Sequence, residues 1–162
     1  MKGAIALLLL VALTRVAAGD GGATEPTPAG WSAAALQTAT QLAGKVRAAG
    51  LACDAYEPAP FGMFDAGYQR RLPLPAASAS CEGDDKEDLT FEVFEDAKQA
   101  RQFVDAKQAL LCRRAADMQL TEFPGFPYVD GGAWIVEPDE KATADKLAPI
   151  LGGTANMASC KP

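Results

Sequence analysis

Histidine is absent from all 162 residues. Ser-His-Asp and Cys-His nucleophilic sites therefore fall away, and so does the commonest ligand of catalytic metals. Cysteine is sparse, and none of the four residues forms a CxxC pair, which weakens zinc-site and thioredoxin-like readings. Basic residues are outnumbered, 15 Lys and Arg against 21 Asp and Glu, for a formal charge of −6. Such a chain lacks the clustered cations that nucleic-acid binding needs. SxxK, GxSxG, Walker A and GxGxxG patterns are also missing. An enzyme built from this sequence would rest on carboxylates, Tyr, Lys or Arg alone. The reading assigns no catalytic residue, no metal ligand and no cofactor.

One long apolar run is present, at residues 4–13. It is too short to cross a bilayer core roughly 30 Å thick. Lys2 precedes it and Val16-Ala17-Ala18 follows, the order of charge, apolar stretch and small residues that a signal peptidase reads. Residues 1–18 are therefore expected to be a cleaved signal peptide, with cleavage near Ala18 and a secreted or extracytoplasmic product. Cleavage removes Lys2 and Arg15 and no acid, which moves the charge from −6 to −8. No second long apolar run follows, so no transmembrane helix is expected in the mature chain. Residues 19–30, rich in Gly, Pro, Thr and acid, read as a flexible linker. Residues 31–162 are long enough for one domain with its own core.

All four cysteines, Cys53, Cys81, Cys112 and Cys160, follow the linker. An even number in an exported chain reads as two disulfides. Three connectivities are open. Cys53–Cys81 and Cys112–Cys160 are favoured, because each would join a predicted helix end to a later edge of the same half.

Residues 31–49 read as a helix with Ser32 as N-cap, a Trp31/Leu36 staple and Gly50 beyond its end. Leu36, Ala39, Leu42, Ala43 and Val46 mark its apolar face. Residues 77–82 and 89–94 read as a hairpin. In the second strand Leu89, Phe91 and Val93 alternate with Thr90 and Glu92, predicting one buried and one wet face. Residues 96–116 form the strongest helical pattern, opened by Asp96 with Gln99 and lined by Ala100, Phe103, Val104, Leu110 and Leu111. Asp130-Gly131-Gly132 between apolar runs predicts a second hairpin over 126–129 and 133–136. Asp139 is expected to cap a last helix that Gly152-Gly153 stops, and residues 154–160 read as an extended strand pinned by its disulfide. The order α-ββ-α-ββ-α predicts an α+β domain, an antiparallel sheet of about four to five strands with helices packed on one face.

Four groups invite a functional reading. Residues 57–75 hold Pro58, Pro60, Pro73 and Pro75, with Phe61, Met63, Phe64, Tyr68, Arg70 and Arg71 between them. Aromatics and Arg dominate binding hot spots, and a proline-framed loop loses little entropy on binding. The candidate ligand-binding residues are Phe61, Phe64, Tyr68, Arg70 and Arg71; the bland alternative folds the aromatics back over the core. Asp84, Asp85, Glu87 and Asp88 match no calcium-loop spacing, and a solvated turn accounts for them. A glycosidase-like carboxylate pair is always available among 21 acids, so the sequence selects none. Phe123, Phe126, Tyr128 and Trp134 read first as core under a hairpin.

The segments Ala48-Ala49-Gly50-Leu51-Ala52-Cys53, Thr90-Phe91-Glu92-Val93-Phe94, Gly131-Gly132-Ala133-Trp134-Ile135-Val136 and Leu151-Gly152-Gly153, with Cys81 and Cys160, resemble those of small exported proteins and lipoproteins of high-GC Gram-positive bacteria. The resemblance implies export, one compact domain and disulfides, and transfers no activity or functional residue. This chain has no cysteine at the cleavage point, unlike the lipoprotein members. The expected function is an exported, non-enzymatic module that binds a protein, a peptide or a cell-envelope component. The alternatives are a small carboxylate-based hydrolase and a structural envelope domain.

Overall fold

The structure, a computed structural model, describes residues 30–51, 53, 55–58, 72–82, 88–120 and 125–160. Residues 1–18 and all but Gly30 of the expected linker lie outside these.

Helix α1 (Ala33–Ala48) begins where the sequence places it: Ser32 accepts a hydrogen bond from the Ala35 N–H at 3.4 Å. Gly50, at φ 73°, follows its end. Strands β1 (Ala55–Pro58), β2 (Ala77–Glu82) and β3 (Asp88–Val93) come next, then helix α2 (Ala97–Asp117). Asp96 caps α2 through the Gln99 N–H at 2.8 Å, while the Gln99 side chain reaches Glu95 rather than closing the box. Strands β4 (Phe126–Asp130) and β5 (Trp134–Glu137), helix α3 (Lys141–Leu151) and strand β6 (Thr154–Ala158) complete the order. Glu140, not Asp139, occupies the N-cap of α3 and makes no side-chain cap bond. Asp139 instead accepts the Asp88 N–H at 3.3 Å.

The domain is α+β, and among the described residues its strands form one antiparallel sheet in the order β1-β2-β3-β5-β4-β6. Six strands replace the expected four to five. The addition is the edge strand β1, while the terminal strand expected over 154–160 forms the other edge. β1 hides among prolines and ends on Pro58, a residue that an edge strand tolerates. β6 is that terminal strand, held in the sheet by pairing with β4.

The helices do not share one face. Strand alternation sends Phe91, Val93 and Val136 into a core with Ala39, Leu42 and Val46 of α1 and Leu147 and Leu151 of α3. Ile135 joins Ala100, Phe103 and Val104 of α2, with Phe94 and Leu72, in a second core. The sheet is thus covered on both sides. This overturns the wet-face expectation for β3: Glu92 is only 3% exposed.

The two disulfides join Cys53 to Cys81 and Cys112 to Cys160, the favoured pairing, with Cα atoms 5.0 and 5.4 Å apart. The first ties the segment after α1 to β2, and the second ties α2 to the end of β6. Two disulfides suit a chain that works in an oxidising, extracytoplasmic compartment. Among the described residues no helix is long and apolar enough to cross a membrane.

Candidate functional site

Phe61, Phe64, Tyr68, Arg70 and Arg71 all lie outside the described residues, as do Phe123 and, from the acidic turn, Asp84, Asp85 and Glu87. Asp88 opens β3 as an exposed residue. Among the described residues no three His, Cys, Asp or Glu side chains gather as a metal site would require.

The described residues bring two other constellations together. The first is built on the β4–β5 hairpin. Asp130 accepts the Gly132 N–H at 2.8 Å, and the Gly131 N–H bonds to the Trp134 carbonyl at 3.1 Å, so the turn is tied at both ends. Trp134 then starts β5 opposite Val93. Its indole lies so close over Gly131 that a Cβ there would overlap the ring. A Cβ on Gly153 would stand 3.0 Å from the ring's far edge and 2.7 Å from Val129. Two glycines therefore form the seat of the indole, and Trp134 is half-buried against the edge of the first core.

The indole lines a groove of about 310 Å³ between the start of α1 and the ends of β3 and β5. Ala35 and Thr38 form one wall, and Phe94, Glu95 and Ala133 continue the other. Thr38 donates to the Ala34 carbonyl at 3.1 Å, and Glu95 accepts from the Gln99 amide at 3.2 Å. The groove is thus mainly apolar, with two aromatic residues and one carboxylate in its lining. Such a surface suits a small apolar group carrying a hydrogen-bond donor.

The second constellation lies beneath α2. Lys107 of α2 is ion-paired with Glu137 of β5, their side chains 18% and 11% exposed. The Lys107 Nζ stands 5.0 Å from the Phe126 ring centre and 5.7 Å from that of Phe103. Glu92 sits beside Glu137. Burial pushes the Glu92 carboxyl well above the ordinary glutamate range, and the charge of Glu137 and a hydrogen bond with it act in the same direction, while Lys107 offsets part of the rise. Glu92 Oε2 and Glu137 Oε1 are both buried without a hydrogen-bond partner. A carboxylate-based hydrolase needs a deep cleft with two acids, at least one with a raised pKa. Here the two acids lie between the sheet and α2, with Lys107 on one of them.

Comparison with protein-family models, with curated proteins and with solved structures returns no match for this chain.

The sequence did not single out Glu92, Lys107 or Glu137. A signal for Lys107 was present: it falls four residues after Phe103 on the stripe begun by Ala100. Glu92 looks like the polar half of an amphipathic strand, and only the placement of α2 reveals otherwise.

Proposed function

We propose that the protein is an exported, non-enzymatic binding module that receives a ligand group in the groove lined by Trp134. The observation that carries this reading is the half-buried indole, seated on Gly131 and Gly153 and packed on the edge of the first core, at a residue that also lines an open groove. A rigid aromatic surface presented by a tied hairpin loses little entropy on binding, which is what recognition sites require. The disulfides and the expected signal peptide support action outside the cytoplasm. The resemblance to small exported proteins of high-GC Gram-positive bacteria agrees with that setting. The ligand is a protein, a peptide or a cell-envelope component that inserts an apolar group beside Trp134 and sets a donor against Glu95.

The test is amide and indole NMR of the labelled protein, titrated with short peptides and with solubilised envelope fragments. The expected result is saturable shifts at Trp134, Phe94, Glu95 and Thr38, absent from a folded Trp134→Ala variant. Saturable binding that leaves these signals unmoved would remove the groove from the reading.

A further inference from the structure

Under α2 an amine, its carboxylate partner and a second carboxyl group share a site largely closed to water. With both acids ionised, two negative charges would face one positive charge in a low-dielectric setting, an arrangement that burial penalises. Holding a proton on Glu92 removes one of those charges. What then remains is an amine, a carboxyl in contact with it, and a second carboxyl on the same sheet face that can give and take a proton. Those are the reactants and the acid–base catalyst of an amide condensation.

We propose that Lys107 and Glu137 condense into an intramolecular isopeptide bond, with Glu92 as the proton shuttle. The step balances without any other reagent. A proton first passes from the Lys107 ammonium to the Glu137 carboxylate, exchanging two buried charges for two neutral groups. The neutral Nζ attacks the Glu137 carboxyl carbon, and Glu92 gives its proton to the carboxyl oxygen as the C–N bond forms. Glu92 recovers a proton from the nitrogen. It then protonates one hydroxyl, which leaves as water, while the other hydroxyl returns its proton and becomes the amide carbonyl. Lys107 ammonium and Glu137 carboxylate have become an amide and one water, and Glu92 ends protonated as it began. Fixed contact between the reacting groups supplies the effective concentration that free amines and acids lack. The Phe103 and Phe126 rings close around Nζ and keep solvent from competing. The product carries no charge, which answers the burial of these groups. It would pin α2 to β5 five residues before Cys112 pins the same helix to β6.

The deciding measurement is the intact mass of the purified full chain, reduced and denatured, with its first residue identified by sequencing. The expected mass is one water below that of the sequence, and a protease digest should contain a branched peptide joining the Lys107 and Glu137 segments. Lys107→Arg and Glu92→Gln, each shown folded by circular dichroism, should return to the full mass. A parent chain at full mass overturns the proposal without recourse to any variant. So does a water loss that fragmentation places elsewhere, as at Asp130-Gly131. A branched peptide that persists in Glu92→Gln overturns the shuttle role.

Discussion

Glu92 and Glu137 stand two register positions apart on neighbouring strands, on the sheet face that α2 covers, and the ion pair of Lys107 goes to Glu137. Burial and the neighbouring Glu137 charge raise the Glu92 pKa well above the ordinary glutamate range. That makes the domain's stability a function of pH in a definite direction. At low pH the folded and unfolded chains both hold the Glu92 proton. As pH rises past the ordinary glutamate value of about 4.3, the unfolded chain releases it and the folded chain does not. Folding then loses up to about 1.4 kcal/mol per pH unit from this group, until the raised folded pKa is passed. Urea unfolding of Lys107→Arg and of Lys107→Arg/Glu92→Gln across about pH 5 to pH 7 reads the effect, because neither can form the cross-link and Gln keeps the shape while removing the titration. The difference in stability between the two should move in favour of the double variant as pH rises. A difference that does not change over that window would show that Glu92 titrates normally in the folded chain.

Much of this architecture was legible because local chemistry and tertiary packing agree. Ser32 and Asp96 cap the helices they precede, Asp130-Gly131-Gly132 turns the hairpin it sits in, and the cysteines pair as their positions beside helix ends suggested. What escaped was decided at long range. β1 is recruited by β2 through backbone bonds that need no hydrophobic period. The second face of the sheet escaped because burial of a polar residue with polar neighbours leaves no mark on apolar periodicity. Glu92 reads as solvent-facing only while nothing is placed above it. Trp134 packs against the first core, as its hairpin position suggested, but its seat depends on Gly153, which follows α3 and is remote in sequence.

The seat of Trp134 is itself testable. Gly131→Ala inserts a methyl into the space the ring occupies, so the indole must move or the turn must open. Overpacking of this kind costs about 1–3 kcal/mol. Thermal unfolding should show that loss, and the Trp134 indole resonance should shift. Gly44→Ala, where an added Cβ meets nothing within 4 Å, is the matched control and should be neutral or stabilising. A Gly131→Ala protein as stable as the parent, with its indole signal in place, would mean that the ring does not rest on the turn.

The two disulfides close loops of different length, 28 and 48 residues of separation. On the loop-entropy account, removing Cys53–Cys81 costs about 3.6 kcal/mol and removing Cys112–Cys160 about 4.1 kcal/mol. With no other cross-link, as in a Lys107→Arg background, paired Cys→Ser variants in denaturant melts should show both losses, the second slightly larger. The isopeptide proposal predicts a departure from that order. A bond between Lys107 and Glu137 would shorten the loop that Cys112–Cys160 closes to about the length of the other, so loss of either disulfide would then cost about the same. Comparing the Cys112→Ser/Cys160→Ser pair with and without Lys107→Arg measures the coupling.

Two places compete for the ligand: the Trp134 groove and the proline-framed aromatics Phe61, Phe64 and Tyr68. They answer differently to substitution, because Trp134 is held by a hairpin joined to both cores, whereas the loop aromatics were read from composition alone. A Phe61→Ala/Phe64→Ala/Tyr68→Ala variant and a Trp134→Ala variant, each shown folded, should be titrated against the same saturating ligand. If the groove is the site, Trp134→Ala should weaken binding at least tenfold, about 1.4 kcal/mol, as loss of an aromatic anchor does, while the triple variant stays within a few-fold of the parent. The reverse pattern assigns recognition to the loop and leaves Trp134 as a wall of the fold. Equal and large losses in both would join the two into one surface, and a double-mutant cycle would then give their coupling directly.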